Sequence, residues 1–447
     1  MEGAKKTLIE LLEHRKTTKH LDNIAFDSIV YVAGYIDDIR EVSKKLSFLN
    51  LYDQYGSIQI TCKEGLCDLS ILDKLTKQSF VAIEGKLVKG KAKIGREIEA
   101  SIILMLTDKP SIPLPIDVYD QNTNLDKRLD VRWVDLRNPK HRLPIELTSE
   151  FVLGAKEYFM HNDYTEIFSP KIVGYPMEGG AELFMLPYFT QEAYLAQSPQ
   201  FYKQMALCSG FERVFEIAPV FRAEPSFTTR HTTEYTSFDA EIGYIKDHHD
   251  VMTEEERVLK HTLSRINDKY ADIIKKEFGI DIEIPESIPR IKMEEAYEVV
   301  TKTNISDDGD LNPEGEKEVA KYVKETYNSP FVFVTDYPLT TRPFYHMIGE
   351  PMKSGVETTK SFDLIYNGVE ITTGAQREHN YETLAINIQK KGLNKDNLQY
   401  YIDMFKYGAP THGGYGAGVA RIIKQLLNIT NIRETTFVPR DPKRLFP

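Results

Sequence analysis

Phe221-Arg-Ala-Glu-Pro-Ser-Phe-Thr-Thr-Arg-His-Thr-Thr-Glu-Tyr235 sets Arg222, Glu224, Arg230, His231 and Glu234 into one short segment. Two apolar runs flank it, 214–220 and 238–245, and their composition predicts strands. A hairpin loop with two arginines, a histidine and two glutamates is poor core material. Charges at that density are either solvated or held on a polyanion. Charge alone favours an exposed hairpin, so the choice falls to the rest of the chain.

The chain has 447 residues, enough for a large core and two domains. No apolar run reaches membrane-spanning length and no signal peptide is evident, so a cytoplasmic protein with no membrane partner is expected. The three cysteines, Cys62, Cys67 and Cys208, lack companions at zinc-ligand spacing and are expected to be free thiols. The net charge of −11 argues mildly against a nucleic-acid partner. The first 110 residues are nearly balanced, however, and Lys86, Lys89, Lys91, Lys93 and Arg96 form a basic cluster there. Taken alone, that cluster is a solvated hairpin.

Residues 1–20 predict a short amphipathic helix built on Leu8, Ile9, Leu11 and Leu12. Five β-like runs follow at 28–36, 46–52, 57–61, 80–87 and 97–106, with Gly56, Gly65 and Gly90 in the turns between them. Five short strands in this length suit a small closed barrel such as an OB-fold, with a β-sandwich as the alternative. The first domain is therefore placed at 1–108. The prolines of 109–140 and the charged run from Arg128 to Pro139 predict a linker and hinge. From 141 to 447 the pattern is α+β. It includes a helix at 148–161, a strand at 164–172 broken by Pro170, and a polar, mostly helical insertion at about 250–325.

Two further segments accompany the opening one. Phe151-Val-Leu-Gly-Ala-Lys-Glu-Tyr-Phe-Met-His-Asn-Asp-Tyr-Thr-Glu-Ile-Phe-Ser-Pro170 is a helix running into a strand. Gly413-Gly-Tyr-Gly-Ala-Gly-Val-Ala-Arg-Ile-Ile423 is a glycine-rich strand feeding an apolar helix. Each alone is weak. Together and in order, the three resemble motifs 1, 2 and 3 of the class II aminoacyl-tRNA synthetases. The resemblance implies an antiparallel catalytic sheet flanked by helices, and a homodimer formed through motif 1.

It also implies a set of ATP contacts. Arg222 would hold the α-phosphate and the amino-acid carboxylate, for which a planar, permanently charged fork is suited. Arg230 and His231 would reach the outer phosphates, Thr232 would be a further ATP contact, and Glu224 would accept from the adenine amino group. Tyr235 would lie under adenine, with Arg421 over its other face and Gly418 beside it. Glu370 and Thr373 would be Mg²⁺ ligands, with Asp363 a weaker candidate for a second ion.

Met177-Glu-Gly-Gly-Ala-Glu-Leu-Phe184, Ala196-Gln-Ser-Pro-Gln-Phe-Tyr-Lys203, Phe238-Asp-Ala-Glu241, Gly368-Val-Glu-Ile-Thr-Thr-Gly-Ala-Gln-Arg377 and the closing 431–444 segment resemble the aspartyl-tRNA synthetases of the archaeal/eukaryotic type. By that resemblance Lys203 and Arg377 grip the L-aspartate side chain, while Asp239, Gln200 and Glu178 serve its α-ammonium and the adjoining loop. Two cations on one carboxylate would reject the isosteric amide. The 38–59 region resembles the anticodon-binding OB-fold of this family, with Phe48 stacking on a base and Gln59 reading the central uracil of tRNA-Asp. Without the resemblance, Phe48 is a barrel core residue.

Three positions depart from the family. Thr373 replaces serine, Tyr235 replaces phenylalanine, and Ala420 stands where an acidic residue precedes the motif 3 arginine. If that carboxylate orients Arg421, ATP binding is weakened here. The alternatives are an asparaginyl enzyme or a non-catalytic paralogue binding aspartate or RNA. Whether tRNA-Asn is also a substrate stays open.

Overall fold

The computed structural model describes residues 9–90, 95–106, 114–120, 122–175, 182–225 and 228–447. Glu178, Lys91 and Lys93 lie outside them. The chain divides into two compact units, Met1–Thr123 and Asn124–Pro447.

The first unit is a closed barrel of β1 (Ile29–Ser43), β2 (Leu46–Tyr52), β3 (Ser57–Lys63), β4 (Phe80–Lys89) and β5 (Arg96–Met105), ordered β1-β2-β3-β5-β4. Period-2 alternation closes it, sending Val30, Val32, Leu49, Leu51, Ile58, Ile60, Val81, Ile83 and Ile98 inward. Phe48 is not part of that core. It sits half-buried under the Arg40 guanidinium, 4.9 Å from the ring centroid, in register with Arg40 on β1. Gln59 is also half-buried, and its amide donates to Glu97 Oε2 at 2.7 Å. The basic cluster is partly consumed by the barrel itself. Lys86 pairs with Asp27 at 2.6 Å, and Arg96 donates to the carbonyls of Leu21, Asp22 and Ile24. Of the expected N-terminal helix, residues 9–13 are described as helical, with Leu11 buried but Ile9 and Leu12 exposed.

The second unit is built on an eight-stranded sheet. Its strands are β6 (Thr165–Glu166), β10 (Arg213–Phe221), β11 (Glu234–Gly243), β12 (Arg290–Lys292), β13 (Phe331–Thr335), β14 (Ser361–Tyr366), β15 (Val369–Gln376) and β16 (His412–Gly418). They run in the order β12-β13-β14-β15-β16-β11-β10-β6, antiparallel except for the outermost pairs. A smaller sheet joins β7 (Ile172–Val173), β8 (Met185–Tyr188) and β9 (Gln191–Leu195). Helices Pro139–His161, His248–Phe278 and Val419–Leu426 cover one face of the large sheet. Phe151 and Phe159 pack there against Phe215 and Phe238.

Four expectations change. The 139–161 helix begins nine residues earlier than its apolar pattern implied. Asn138 caps it and Pro139 takes the first position, where proline loses no hydrogen bond. β11 likewise starts at Glu234, so Tyr235 lies in a strand and not in the loop.

Within the expected 109–140 linker and hinge, residues 128–135 form a clamp. Arg132, almost fully buried, pairs with Asp135 and donates to the carbonyls of Glu434, Thr436 and Phe437. Arg128 bridges Asp135 and Glu434, at 2.7 and 3.0 Å.

Finally, the first helix of the expected 250–325 insertion belongs to the main core. Val251, Met252, Val258, Leu259, Leu263 and Ile266 form an apolar stripe buried in the main core, masked in sequence by the charges around it. The same helix carries Glu255 beneath the sheet, where Thr372 donates to it and burial pushes its carboxyl up to about 8. Between the ordinary carboxylate range and pH 8 the unfolded chain has released a proton that the folded chain keeps, so stability falls as pH rises through that window. Glu255→Gln has no such proton and retains the acceptor. It should be more stable than wild type by a few kcal/mol at about pH 8, with the difference vanishing near pH 5. Chemical denaturation at both pH values measures this.

Candidate active site

Strand alternation builds the site. Phe238, Ala240 and Ile242 of β11 face the helices, so Tyr235, Ser237, Asp239 and Glu241 face the other way. On that side lies a cavity of about 270 Å³. Its walls bring together Gln200, Arg222, Glu224, Arg230, His231, Thr232, Tyr235, Asp239, Glu370, Thr373, Arg377, Gly418 and Arg421, residues spread over more than 200 positions of sequence. Lys203 is not in the wall, and Phe48 and Gln59 belong to the barrel.

One cluster is a buried charge network. Lys203, with no exposed surface, donates to Asp239 Oδ1 at 3.0 Å and to the Tyr415 carbonyl at 3.2 Å, and lies 3.3 Å from Glu241 Oε2. Arg377 donates through Nε to Glu241 Oε1 at 2.9 Å, through a terminal nitrogen to the Gly414 carbonyl at 2.9 Å, and to His346 Nε2 at 2.8 Å. Gln200 Nε2 stands 3.3 Å from both Glu241 oxygens, and Ser237 donates to Asp239 Oδ2 at 2.5 Å. Burial alone would push the Glu241 carboxyl up, but Arg377 and then Lys203 hold it below the ordinary carboxylate value. His346 stays neutral, pushed well down by burial and then by Arg377. Lys203 can therefore meet a ligand in the cavity only through a change of partners. Two carboxylates already hold it a layer beneath the floor.

The glycines of β16 make that layer possible. Gly414 and Gly416 stand opposite Glu241 and Asp239 in register. A Cβ on Gly414 would overlap the Glu241 carboxylate and the Ala240 carbonyl, and one on Gly416 would lie 2.9 Å from Asp239 Oδ1. The glycine run thus clears room for two buried carboxylates.

The second cluster is strongly cationic. Arg222 lies 5.8 Å from the Tyr235 ring centroid. Arg421 donates to the Glu370 carbonyl at 3.3 Å and to Glu370 Oε2 at 3.4 Å, so a carboxylate does orient it despite Ala420. Thr373 donates to Glu370 Oε1 at 2.9 Å. Burial pushes His231 down to about 4, helped by Arg421 and Arg230, so its ring is neutral near pH 7. It contacts Thr228 Oγ1 at 2.9 Å and Glu224 Oε2 at 3.4 Å. Asp363 does not line the cavity. Its Oδ2 accepts from Arg342 at 2.6 Å, its Oδ1 has no partner among the described residues, and burial raises its carboxyl to about 6.

Sequence reasoning overlooked Glu241, His346, Arg342 and Glu316. Glu241 stood inside a quoted segment. Its signal was a second acidic residue two positions after Asp239 and therefore on the same strand face.

A sheet of this topology with such a cavity defines a class, and direct comparison agrees. The chain matches "tRNA synthetases class II (D, K and N)" over residues 124–442 and "OB-fold nucleic acid binding domain" over 30–104. It belongs to the class II tRNA synthetases of that group. It is 40% identical to the aspartate–tRNA(Asp/Asn) ligase of Aeropyrum pernix over 427 residues, 94% of this chain and 95% of the relative. It is 39% identical to the aspartate–tRNA(Asp) ligase of Thermococcus kodakarensis over 429 residues, covering 94% and 96%. Among solved structures it resembles asparaginyl-tRNA synthetase from Pyrococcus horikoshii complexed with asparaginyl-adenylate. That likeness has a TM-score of 0.89 and 27% identity, over 97% of this chain and 99% of that one. No helix among the described residues is long and apolar enough to cross a membrane.

Proposed function

We infer that the chain catalyses aspartate–tRNA ligation, activating L-aspartate with ATP and transferring it to the 3′ end of tRNA-Asp. The observation that carries the choice of aspartate is the neutral buried set of Lys203, Arg377, Asp239 and Glu241. Aspartate can enter it by exchange of partners. Asp239 turns to the substrate α-ammonium, and Lys203 and Arg377 take the substrate side-chain carboxylate, so every buried charge stays paired. Asparagine brings the ammonium without the second anion and strands a cation. The near full-length likeness to aspartate–tRNA ligases supports the same choice. The likeness to an asparaginyl enzyme supports the competing substrate.

In the first step an α-carboxylate oxygen of aspartate attacks the α-phosphorus of ATP, and the bond to the β-phosphate oxygen breaks, releasing pyrophosphate. In the second, the terminal ribose hydroxyl of the tRNA attacks the acyl carbon, loses its proton, and AMP departs. No protein nucleophile is required. Arg222 holds the reacting carboxylate and α-phosphate together, and Arg421 faces the nucleotide from the other side, so rate comes from positioning and charge neutralisation. Glu370 and Thr373 form an oxygen donor pair suited to a hard cation, with the unpartnered Asp363 oxygen nearby in register on β14. Mg²⁺ held there would supply further neutralisation of the phosphates. Phe48 and Gln59 would meet the anticodon, the protein would act in the cytoplasm, and motif 1 would pair two copies. Charging assays on purified tRNA-Asp and tRNA-Asn test the reading. Aspartate esterified to tRNA-Asp is expected, and no charging of tRNA-Asp would overturn it. The tRNA-Asn arm decides how broad the specificity is.

A further inference from the structure

Glu316 lies on helix Pro313–Tyr327, in the region whose sequence suggested a peripheral insertion. Its environment is built. Asn312 caps the helix, accepting from the N–H groups of Glu314 and Gly315 at 3.0 Å, while Val319 and Val323 anchor it in an apolar cluster shared with Val332, Val334 and Ile365 of the large sheet. A Cβ on Gly315 would lie 2.6 Å from the Asn304 carbonyl oxygen, so the helix sits tightly against the preceding turn. Glu316 is thus presented at a fixed place. Its Oε2 accepts from Arg230 at 2.5 Å and from the backbone N–H of Glu370 at 2.9 Å. Both partners of the ion pair are largely withdrawn from solvent, with side chains 18% and 12% exposed.

This one oxygen joins two parts of the cavity that are distant in sequence. Arg230 belongs to the 221–235 loop, and Glu370 belongs to β15, where its carboxylate meets Arg421 and Thr373. Arg230 lines the cavity and Glu316 does not. The contact from Arg230 is monodentate, through one terminal nitrogen. A guanidinium has five donors in a rigid fork, so such an anchor fixes its direction without consuming its capacity for phosphate. Anchoring removes rotamer freedom that a long exposed arginine would otherwise lose only on binding.

We propose that Glu316 is a positioning residue that aims Arg230 at the outer phosphates of ATP and ties the 221–235 loop to the Glu370 strand. It rests on the reading that the cavity takes ATP. Because Glu316 touches no substrate, its loss should appear in the KM for ATP and leave aspartate binding alone.

The test is steady-state ATP–pyrophosphate exchange on the full chain, with ATP and aspartate varied separately and the thermal midpoint recorded for each variant. Glu316→Ala should raise the KM for ATP about tenfold, the scale of one lost charge-assisted hydrogen bond, with the KM for aspartate unchanged. Glu316→Gln keeps an acceptor for both donors and should recover most of that loss, leaving an increase of about threefold. In an Arg230→Ala background Glu316→Gln should add nothing, a comparison that stands even if Glu316→Ala does not fold. An unchanged KM for ATP in folded Glu316→Ala would overturn the role. So would equal rises in both KM values, or an equal effect of Glu316→Gln with and without Arg230. A wild-type chain that shows no aspartate-dependent exchange would instead overturn the proposed function itself.

Discussion

Replacing Arg222 with alanine is expected to lower kcat/KM for aspartate-dependent ATP–pyrophosphate exchange by about 10³-fold or more, the scale of removing a preorganised cation from a phosphoryl-transfer site. Arg222 lies at the end of β10, beside Tyr235, and its backbone N–H donates to the Thr233 carbonyl at 2.9 Å. That backbone bond extends the hairpin ladder and survives loss of the side chain. The alanine variant should therefore fold with a thermal midpoint close to wild type. Stopped exchange with a normal midpoint is the expected pair of results. Near-normal exchange would remove Arg222 from the reaction.

Glu241→Ala is expected to have the opposite character, losing stability and recognition together. Glu241 is fully buried and answers Arg377, Lys203 and Gln200 at once. Removing it leaves the buried Arg377 without its carboxylate partner and only Asp239 to balance two buried cations, a change that costs about 3–5 kcal/mol. Glu241→Gln keeps the shape and an acceptor but not the charge, and should be milder in stability while still raising the KM for aspartate. Urea unfolding and aspartate titration of both variants measure the two effects separately. An alanine variant as stable as wild type would show that the network is solvated in solution.

The barrel was legible in sequence because alternation and glycine turns are local signals: β2 to β5 lie within two residues of the expected runs, while β1 continues seven residues beyond its expected end. The catalytic sheet was legible mainly through its three motifs. What stayed hidden were relations between distant residues. Glu241 looked like one more strand charge until the fold brought Arg377 and Lys203 onto it. Lys203 stood out as a candidate substrate ligand, but sequence does not show that Asp239 and Glu241 are its partners in the fold. The helix from His248 carries its apolar stripe among so many charges that it resembled a solvated insertion. Ala420 suggested a weakened Arg421, but the Glu370 carboxylate and carbonyl supply the missing orientation from another strand. Pro139, read as a linker residue, is instead the first residue of a 23-residue helix.

In the proposed function a neutral buried network, able to exchange partners with an incoming carboxylate, selects aspartate. ATP–pyrophosphate exchange with aspartate and asparagine side by side, on the wild-type chain, tests it most directly. The cation left unmatched by the amide should give a preference for aspartate of about 10³-fold or more in kcat/KM. Exchange driven by asparagine alone, or equally by both, would contradict it.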